Sequence, residues 1–230
     1  MAFAAASSAD TLKTVIGENM SLPWYSPGSK GEPKGITPEY LRALEKKLGK
    51  KIEILVLPKY RIREYYKNNL IDFNCYTNPQ WAGSATKNFQ WSHPLFTVTN
   101  LIVSNNGTVA SLDSLKGQTI GTVLKYNYPK LTKKFSSREI IRDDATNEEA
   151  NIVKLENDRF KYAVVDGHHL AYYLRSNPNS KINPNGLLLE EIPVSCWIRK
   201  GSELKLEDLN TAIDQIKSEG ILEKIFQKYR

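Results

Sequence analysis

Strand-like and helix-like stretches alternate along this chain, and the alternation runs through twice, once before Phe96 and once after Thr97. Leu12 to Gly17 and Lys51 to Leu57 read as strands. Between them Thr37 suits a helix N-cap, Pro38 the first helical position and Glu39 the first turn. Tyr40, Leu41, Leu44 and Leu48 then form one apolar stripe, and Gly49 ends the helix. A short helix over Arg61 to Asn68 leads into a third strand, Leu70 to Tyr76. The second round has strands at 97–104, 118–124, 139–142 and 160–165. Its helices lie over 111–117, from Lys125 to beyond Pro129, over 147–157 with Thr146 as cap, and after Asp166. Strands at 187–189 and 193–199 and helices at 205–217 and 221–229 complete the chain. Such alternation means parallel sheet covered by helices. Its repetition implies two α/β lobes with a ligand cleft between them.

Size and charge narrow the function classes. The chain has 230 residues, 40% of them hydrophobic, enough for two lobes with proper cores and no structural metal. Its net charge of +7 would suit an anionic partner. The lysines, however, are scattered on polar faces beside Glu or Asp, without a basic stripe interleaved with aromatics, so no nucleic-acid surface is expected. No run of about 18 apolar residues exists, so membrane insertion is not expected either. The opening MAFAAASSAD resembles the tail of a secretory signal peptide with an A-x-A cleavage site; residues 1–10 read as that remnant or as a disordered terminus. Cys75 and Cys196 sit in separate predicted strands, too widely spaced for zinc. They read as two buried thiols, with a bond as the alternative for an exported protein.

The segment from Ile71 to Phe96 carries the functional signal. Its strand ends in Tyr76, Thr77, Asn78 and Pro79, with Trp81 close behind, and ligands of open α/β sheets bind outside the carboxyl ends of strands. Aromatic walls with a few placed polar groups are typical of a small-molecule pocket. Trp24, Tyr60, Tyr76 and Trp81 are candidates to stack on a ligand or hold an amine by cation–π contact, against core packing for each. Trp91, Phe96 and Trp197 read as core, and His93 as a hydrogen-bonding group. Asp166, at a strand end, reads as a cap of the following helix through His168 and Leu170. The adjacent His168 and His169 point in different directions on a helix and do not chelate together. No phosphate loop, nucleophile elbow or cofactor motif is present.

The ordered features Pro23-Trp24, Gly35-Ile36, Asn69 to Asp72, Trp91 to Phe96 (WSHPLF), Ser114 to Gly121 (SLKGQTIG), Tyr162 to Asp166 (YAVVD) and Ile198 to Leu204 resemble the bacterial family 3 extracellular solute-binding proteins. These are type II periplasmic receptors that feed ABC importers of amino acids. The resemblance covers nearly the whole chain from Leu12. It implies the two-lobed periplasmic binding protein-like fold, with lobe I formed by 11–98 plus 194–230 and lobe II by 99–193. Hinges would lie near Val98 to Asn100 and Pro193 to Ser195. On that topology the returning strand lies beside the Asp72–Tyr76 strand, so Cys75 and Cys196 become neighbours and a disulfide joins the expectations.

Asp166 falls where the family holds the ligand amine. The family's carboxylate-binding arginine, by contrast, is missing, since no arginine stands between Arg63 and Arg138. Lys125-Tyr126 replaces the Gly-Thr or Gly-Ser of the second-lobe helix start, whose backbone N–H groups would still suit an anion. The expectation is a periplasmic, monomeric receptor for a small, amine-bearing solute that is not a standard α-amino acid. Trp24, Tyr60, Tyr76, Thr77, Asn78, Trp81, Lys125, Tyr126 and Asp166 would contact it, and a membrane permease of an ABC importer would be the partner. A sensory module for a membrane signalling partner is the alternative. A cyclohexadienyl dehydratase-like enzyme, with Asp166 as its acid, is a remoter one.

Overall fold

The computed structural model describes residues 11–28, 31–82 and 87–230; the expected leader remnant at 1–10 lies outside them. Its residues group into two compact units. The first takes the chain up to Glu18, Thr37–Leu95 and Val194–Ile225; the second takes Asn19–Ile36, Phe96–Pro193 and Phe226–Arg230. The loop carrying Trp24 and the last five residues, expected with the first lobe, group with the second unit.

In the first unit, β1 (Thr11–Gly17) pairs in parallel with β2 (Lys51–Leu57), from Thr11 opposite Lys51 to Gly17 opposite Leu57. The crossover between them is α1 (Ile36–Leu48), which begins one residue ahead of the expected Thr37 cap. Its apolar stripe is buried as the spacing requires, with Tyr40, Leu41 and Leu44 each at most 1% exposed. After α2 (Lys59–Lys67) come β3 (Phe73–Thr77), the one-turn α3 (Pro79–Ala82) and β4 (Phe89–Trp91). The start of β3 is tied to β1 at Lys13: Asp72 N–H donates to the Lys13 carbonyl and Lys13 N–H to Asp72 Oδ2, both at 2.9 Å.

The second unit contains β5 (Phe96–Ser104), β6 (Thr119–Val123), α4 (Thr132–Ser136), β7 (Ile141–Ala145), α5 (Glu148–Glu156), β8 (Tyr162–Asp166), α6 (Gly167–Ser176) and the first half of β9 (Leu187–Arg199). Its strands run in the order β9-β5-β8-β6-β7, with β6 parallel to both neighbours and β5 antiparallel to β8. Both sheet faces are covered. Ile102, Leu115, Ile120, Leu131 and Val164 form one core, and Val103, Ile152, Leu155, Ala163, Val165 and Leu170 another. The α5 cap is Asn147, accepting from Ala150 N–H, one residue later than expected.

The chain returns through β9, one continuous strand where the sequence reads as two. Its second half pairs antiparallel with β3 and β4 in the first unit, which α7 (Leu206–Ser218) and most of α8 (Ile221–Tyr229) complete. The β3–β9 pairing sets Phe73 against Ile198 and Asn74 against Trp197, then shifts before Thr77 meets Ser195. Across that irregularity Cys75 and Cys196 are joined by a disulfide, so the reading of two buried thiols is corrected. Only the long-range pairing brings their Cα atoms to 3.9 Å over a sequence separation of 121.

Candidate functional site

The polar centre of the second unit is the junction of β8 and α6. The strand ends at Asp166, whose carboxylate accepts the first-turn N–H groups of His168 and His169, each at 3.0 Å. It is the N-cap of α6, and the capped partners are His168 and His169 rather than His168 and Leu170. The indole N–H of Trp24 donates to the same oxygen, Oδ1, at 3.1 Å. Three donors thus converge on one atom. The other oxygen, Oδ2, is buried and has no hydrogen-bond partner among the described residues. The whole residue is 4% exposed. Capping and ligand binding, posed by the sequence as alternatives, fall to different oxygens of one carboxylate.

Trp24 is placed for this by its loop. Gly35, at φ +118°, brings the chain so close that a Cβ there would stand 2.5 Å from the Trp24 carbonyl oxygen. The indole is stacked on Phe96 with centroids 5.5 Å apart and meets His168 edge-on at 5.1 Å. At 1% exposure the ring is part of the core, and its polar edge is spent on Asp166. Behind the carboxylate, His169 is also buried and shares a 2.8 Å hydrogen bond between Nε2 and Ser21 Oγ, while its Nδ1 stands 3.8 Å from Asp166 Oδ1.

Electrostatics divide the buried acids into opposites. Burial alone would push the Asp166 carboxyl up, but the adjacent His169 ring, the charges of both histidines and the His169 N–H hold it below the usual range. His168 is pushed down, chiefly by burial, with Arg230 and His169 adding to the effect and Asp166 opposing it. Glu148, in the first turn of α5, goes the other way. Burial and the Asp166 charge raise its carboxyl well above the ordinary value, against a lowering hydrogen bond from the Asp166 backbone N–H. A raised acid is therefore present, but it is Glu148 and not Asp166.

Tyr126 stands near both acids. The residue is partly exposed, and burial, then the charges of Glu148 and Asp166, raise its hydroxyl above the ordinary value. Its loop is held by Arg142, whose guanidinium donates to the Val123 and Tyr126 carbonyls at 2.9 and 3.1 Å. Lys125 in that loop is exposed, at φ +63°. No long helix begins here. A 3-10 turn, Pro129–Leu131, leads into the five-residue α4, so the anion-receiving helix start expected at Lys125-Tyr126 is absent from the described residues.

The remaining candidates belong to the first unit. Tyr76 is at φ +62° in the irregular end of β3, and its ring lies 6.3 Å from that of Trp81. Asn78 is buried and its side chain accepts the Gln80 N–H at 2.8 Å, starting the turn of α3 that carries Trp81. Thr77 is partly exposed beside them. Tyr60 lies on α2, 66% exposed. The structure therefore brings together Trp24, Tyr126 and Asp166 in one unit, and Tyr76, Thr77, Asn78 and Trp81 in the other. Sequence reading overlooked Glu148, which a period count would have found: Glu148, Asn151, Ile152 and Leu155 share the buried stripe of α5. Among the described residues no group of three or more His, Cys, Asp or Glu could hold a metal ion, and no helix is long and apolar enough to cross a membrane.

Residues 14–230 match the bacterial extracellular solute-binding proteins, family 3. A probable histidine-binding protein of Neisseria gonorrhoeae is 25% identical over 218 residues, covering 90% of this chain and 78% of the relative. Among solved structures, an ancestral arginine-binding protein bound to arginine aligns with a TM-score of 0.76 at 24% identity, covering 96% of this chain and 98% of that one. The GluR0 ligand-binding core in complex with L-glutamate aligns with a TM-score of 0.78 at 17% identity, covering 97% and 99%. The α/β architecture is that of the type II periplasmic binding proteins.

Proposed function

We propose, for a chain that belongs to the bacterial extracellular solute-binding proteins of family 3, that its solute is a small amine- or guanidine-bearing molecule held by Asp166. The protein is a solute-binding protein of the amino-acid ABC-transporter type; the finer reading concerns what it captures. The observation that carries it is the divided carboxylate of Asp166, with one oxygen saturated by three N–H donors and the other buried without a partner among the described residues. A carboxylate oxygen in that state is costly, and a charged donor from a ligand offsets the cost. One relative is named as a probable histidine-binding protein and one solved neighbour is bound to arginine, both ligands with basic side chains, while another neighbour holds L-glutamate. The missing arginine between Arg63 and Arg138 argues against clamping an α-carboxylate by a guanidinium fork. Tyr126 would contact the same solute, and Lys125 would lie at the edge of that contact. Tyr60, Tyr76, Thr77, Asn78 and Trp81, all of the first unit, are further candidate contacts carried from the sequence. Delivery to the membrane permease of an ABC importer, as a periplasmic monomer, completes the reading. The dehydratase-like alternative casts Asp166 as its acid, a role that a carboxyl held low does not favour.

A thermal-shift screen tests this against L-arginine, L-histidine, L-lysine, agmatine, putrescine, L-glutamate and glucose. A binder at 100 times its Kd adds about 2.7 kcal/mol of stability. Amines and guanidines should stabilise the protein, and Asp166→Asn should abolish the effect. Stabilisation by glucose alone, or an amine response that survives Asp166→Asn, would defeat the proposal.

A further inference from the structure

Glu148 has no place in that reading, and its position demands one. It is the first residue of α5, immediately after the Asn147 cap, on the face that packs against β8. A first-turn glutamate ordinarily faces water, where the helix dipole favours its charge. Here the side chain is turned inward and the residue is 6% exposed. Its carboxyl receives the backbone N–H of Asp166, so the two acids are joined through the main chain. Its second oxygen, Oε2, is buried without a partner among the described residues, as Asp166 Oδ2 is. Two enclosed carboxyl oxygens in one neighbourhood, neither with a donor, cannot both be anionic at low cost.

We infer that Glu148 is the proton partner of the Asp166 site: the ligand-free protein holds a proton on Glu148, and a cation docking at Asp166 Oδ2 drives that proton into solvent. The charges balance, since one positive charge enters as one leaves. The inference rests on the amine reading above and adds to it a coupling between capture and pH.

The surrounding ionisable groups fit this assignment. From β8 the neighbour is Asp166, and from the loop after β6 they are Tyr126 and Tyr128, both raised by burial first and by the Glu148 charge second. On β7, Asp144 is paired with Arg142 at 2.8 Å and Asp143 with Lys154 at 2.8 Å, so that strand's charges are largely neutralised among themselves. Arg142 otherwise serves the Tyr126 loop. On α6, His168 and His169 cluster about Asp166. On α5 itself Glu149 is exposed. No basic side chain is hydrogen-bonded to Glu148 among the described residues, so protonation is how its burial is made tolerable.

The test is isothermal titration calorimetry with L-arginine, agmatine, putrescine, L-lysine and L-histidine in phosphate and in Tris, whose ionisation enthalpies differ widely. The difference in apparent enthalpy gives the protons exchanged. Binding of any of the five should release a proton fraction, and affinity should rise with pH by up to about tenfold per unit where the release is complete. Glu148→Gln should still fold, bind without proton release and lose that slope. Binding by the wild type without proton release overturns the inference and leaves the amine reading standing. Release that persists in Glu148→Gln assigns the proton to His168 or His169 and also overturns it. No binding by any of the five defeats the amine reading, and this inference with it.

Discussion

Reducing the Cys75–Cys196 bond should cost stability by an amount that reports how the chain unfolds. The bond closes a loop spanning a sequence separation of 121. In the chain-entropy account a loop of that length is worth about 4.9 kcal/mol at 25 °C. That figure assumes everything between the cysteines unfolds together. Most of the second unit, Phe96–Pro193, lies inside the loop, and in it β5, which starts at Phe96, pairs with the half of β9 that ends at Pro193. If this unit stays folded while the first unfolds, it short-circuits the loop. Only about 22 flexible residues then remain, and the same relation gives about 3.4 kcal/mol. Comparing oxidised protein with protein in dithiothreitol by equilibrium urea denaturation avoids the cavity that a cysteine-to-alanine change would leave. A loss near the larger value means that both units unfold together, and one near the smaller that they unfold in turn. Ellman's reagent should find no thiol in the unfolded, unreduced chain. Two thiols there would refute the bond, and a confirmed bond whose reduction costs under about 1 kcal/mol would refute the loop argument.

Trp24→Phe removes a donor to a buried carboxylate and keeps an aromatic ring, so it should cost about 1.5–3 kcal/mol in urea denaturation. With Asp166→Asn in a double-mutant cycle the two losses should be non-additive, and strict additivity would deny the hydrogen bond its weight. Gly121→Ala would set a Cβ 2.1 Å from the Phe160 ring and 2.5 Å from Asn151 Oδ1, a crowding expected to cost about 1–3 kcal/mol; an unchanged urea midpoint would contradict it. Stability should also fall at both ends of the pH range. Glu148, raised by burial when folded, keeps a proton that the unfolded chain loses, so its contribution is full below the ordinary glutamate range and lost as pH rises through the folded value. His168, lowered by burial, contributes above the ordinary histidine value of 6.5 and loses that contribution as pH falls through and below it. Thermal melts across pH should show Glu148→Gln flattening only the alkaline limb and His168→Asn only the acid one; the reverse pattern would refute the assignment.

Local signals carried most of the fold. The Tyr40-Leu41-Leu44 stripe, the apolar runs of β6 and β8 and the late helices are patterns a chain must bury in one way. Asp166 was legible for the same reason, as an acid ending an apolar strand before a helix. What escaped depends on partners far off in sequence. Pro193 reads as a strand break because it lacks an N–H, yet β9 runs on, because there its pairing passes from β5 to β3. The disulfide needed that pairing too. Glu148 was hidden by its type, since a glutamate in a first turn suggests the surface even when its position falls on the buried stripe. The mirror case is Trp24, an apparent ligand wall whose ring is enclosed by Phe96, His168 and Phe226.

The three-donor convergence on Asp166 Oδ1 fixes which way any amide placed there must turn. In Asp166→Asn the side-chain oxygen alone can serve the N–H groups of Trp24, His168 and His169, so it takes the Oδ1 position. The amide nitrogen is then forced into the place of Oδ2. One isosteric exchange would leave helix, loop and core as they are, yet reverse the polarity of the socket, which would present a donor where it had presented an acceptor. The fold's own grip on one oxygen thus makes the sign of recognition a property of a single atom.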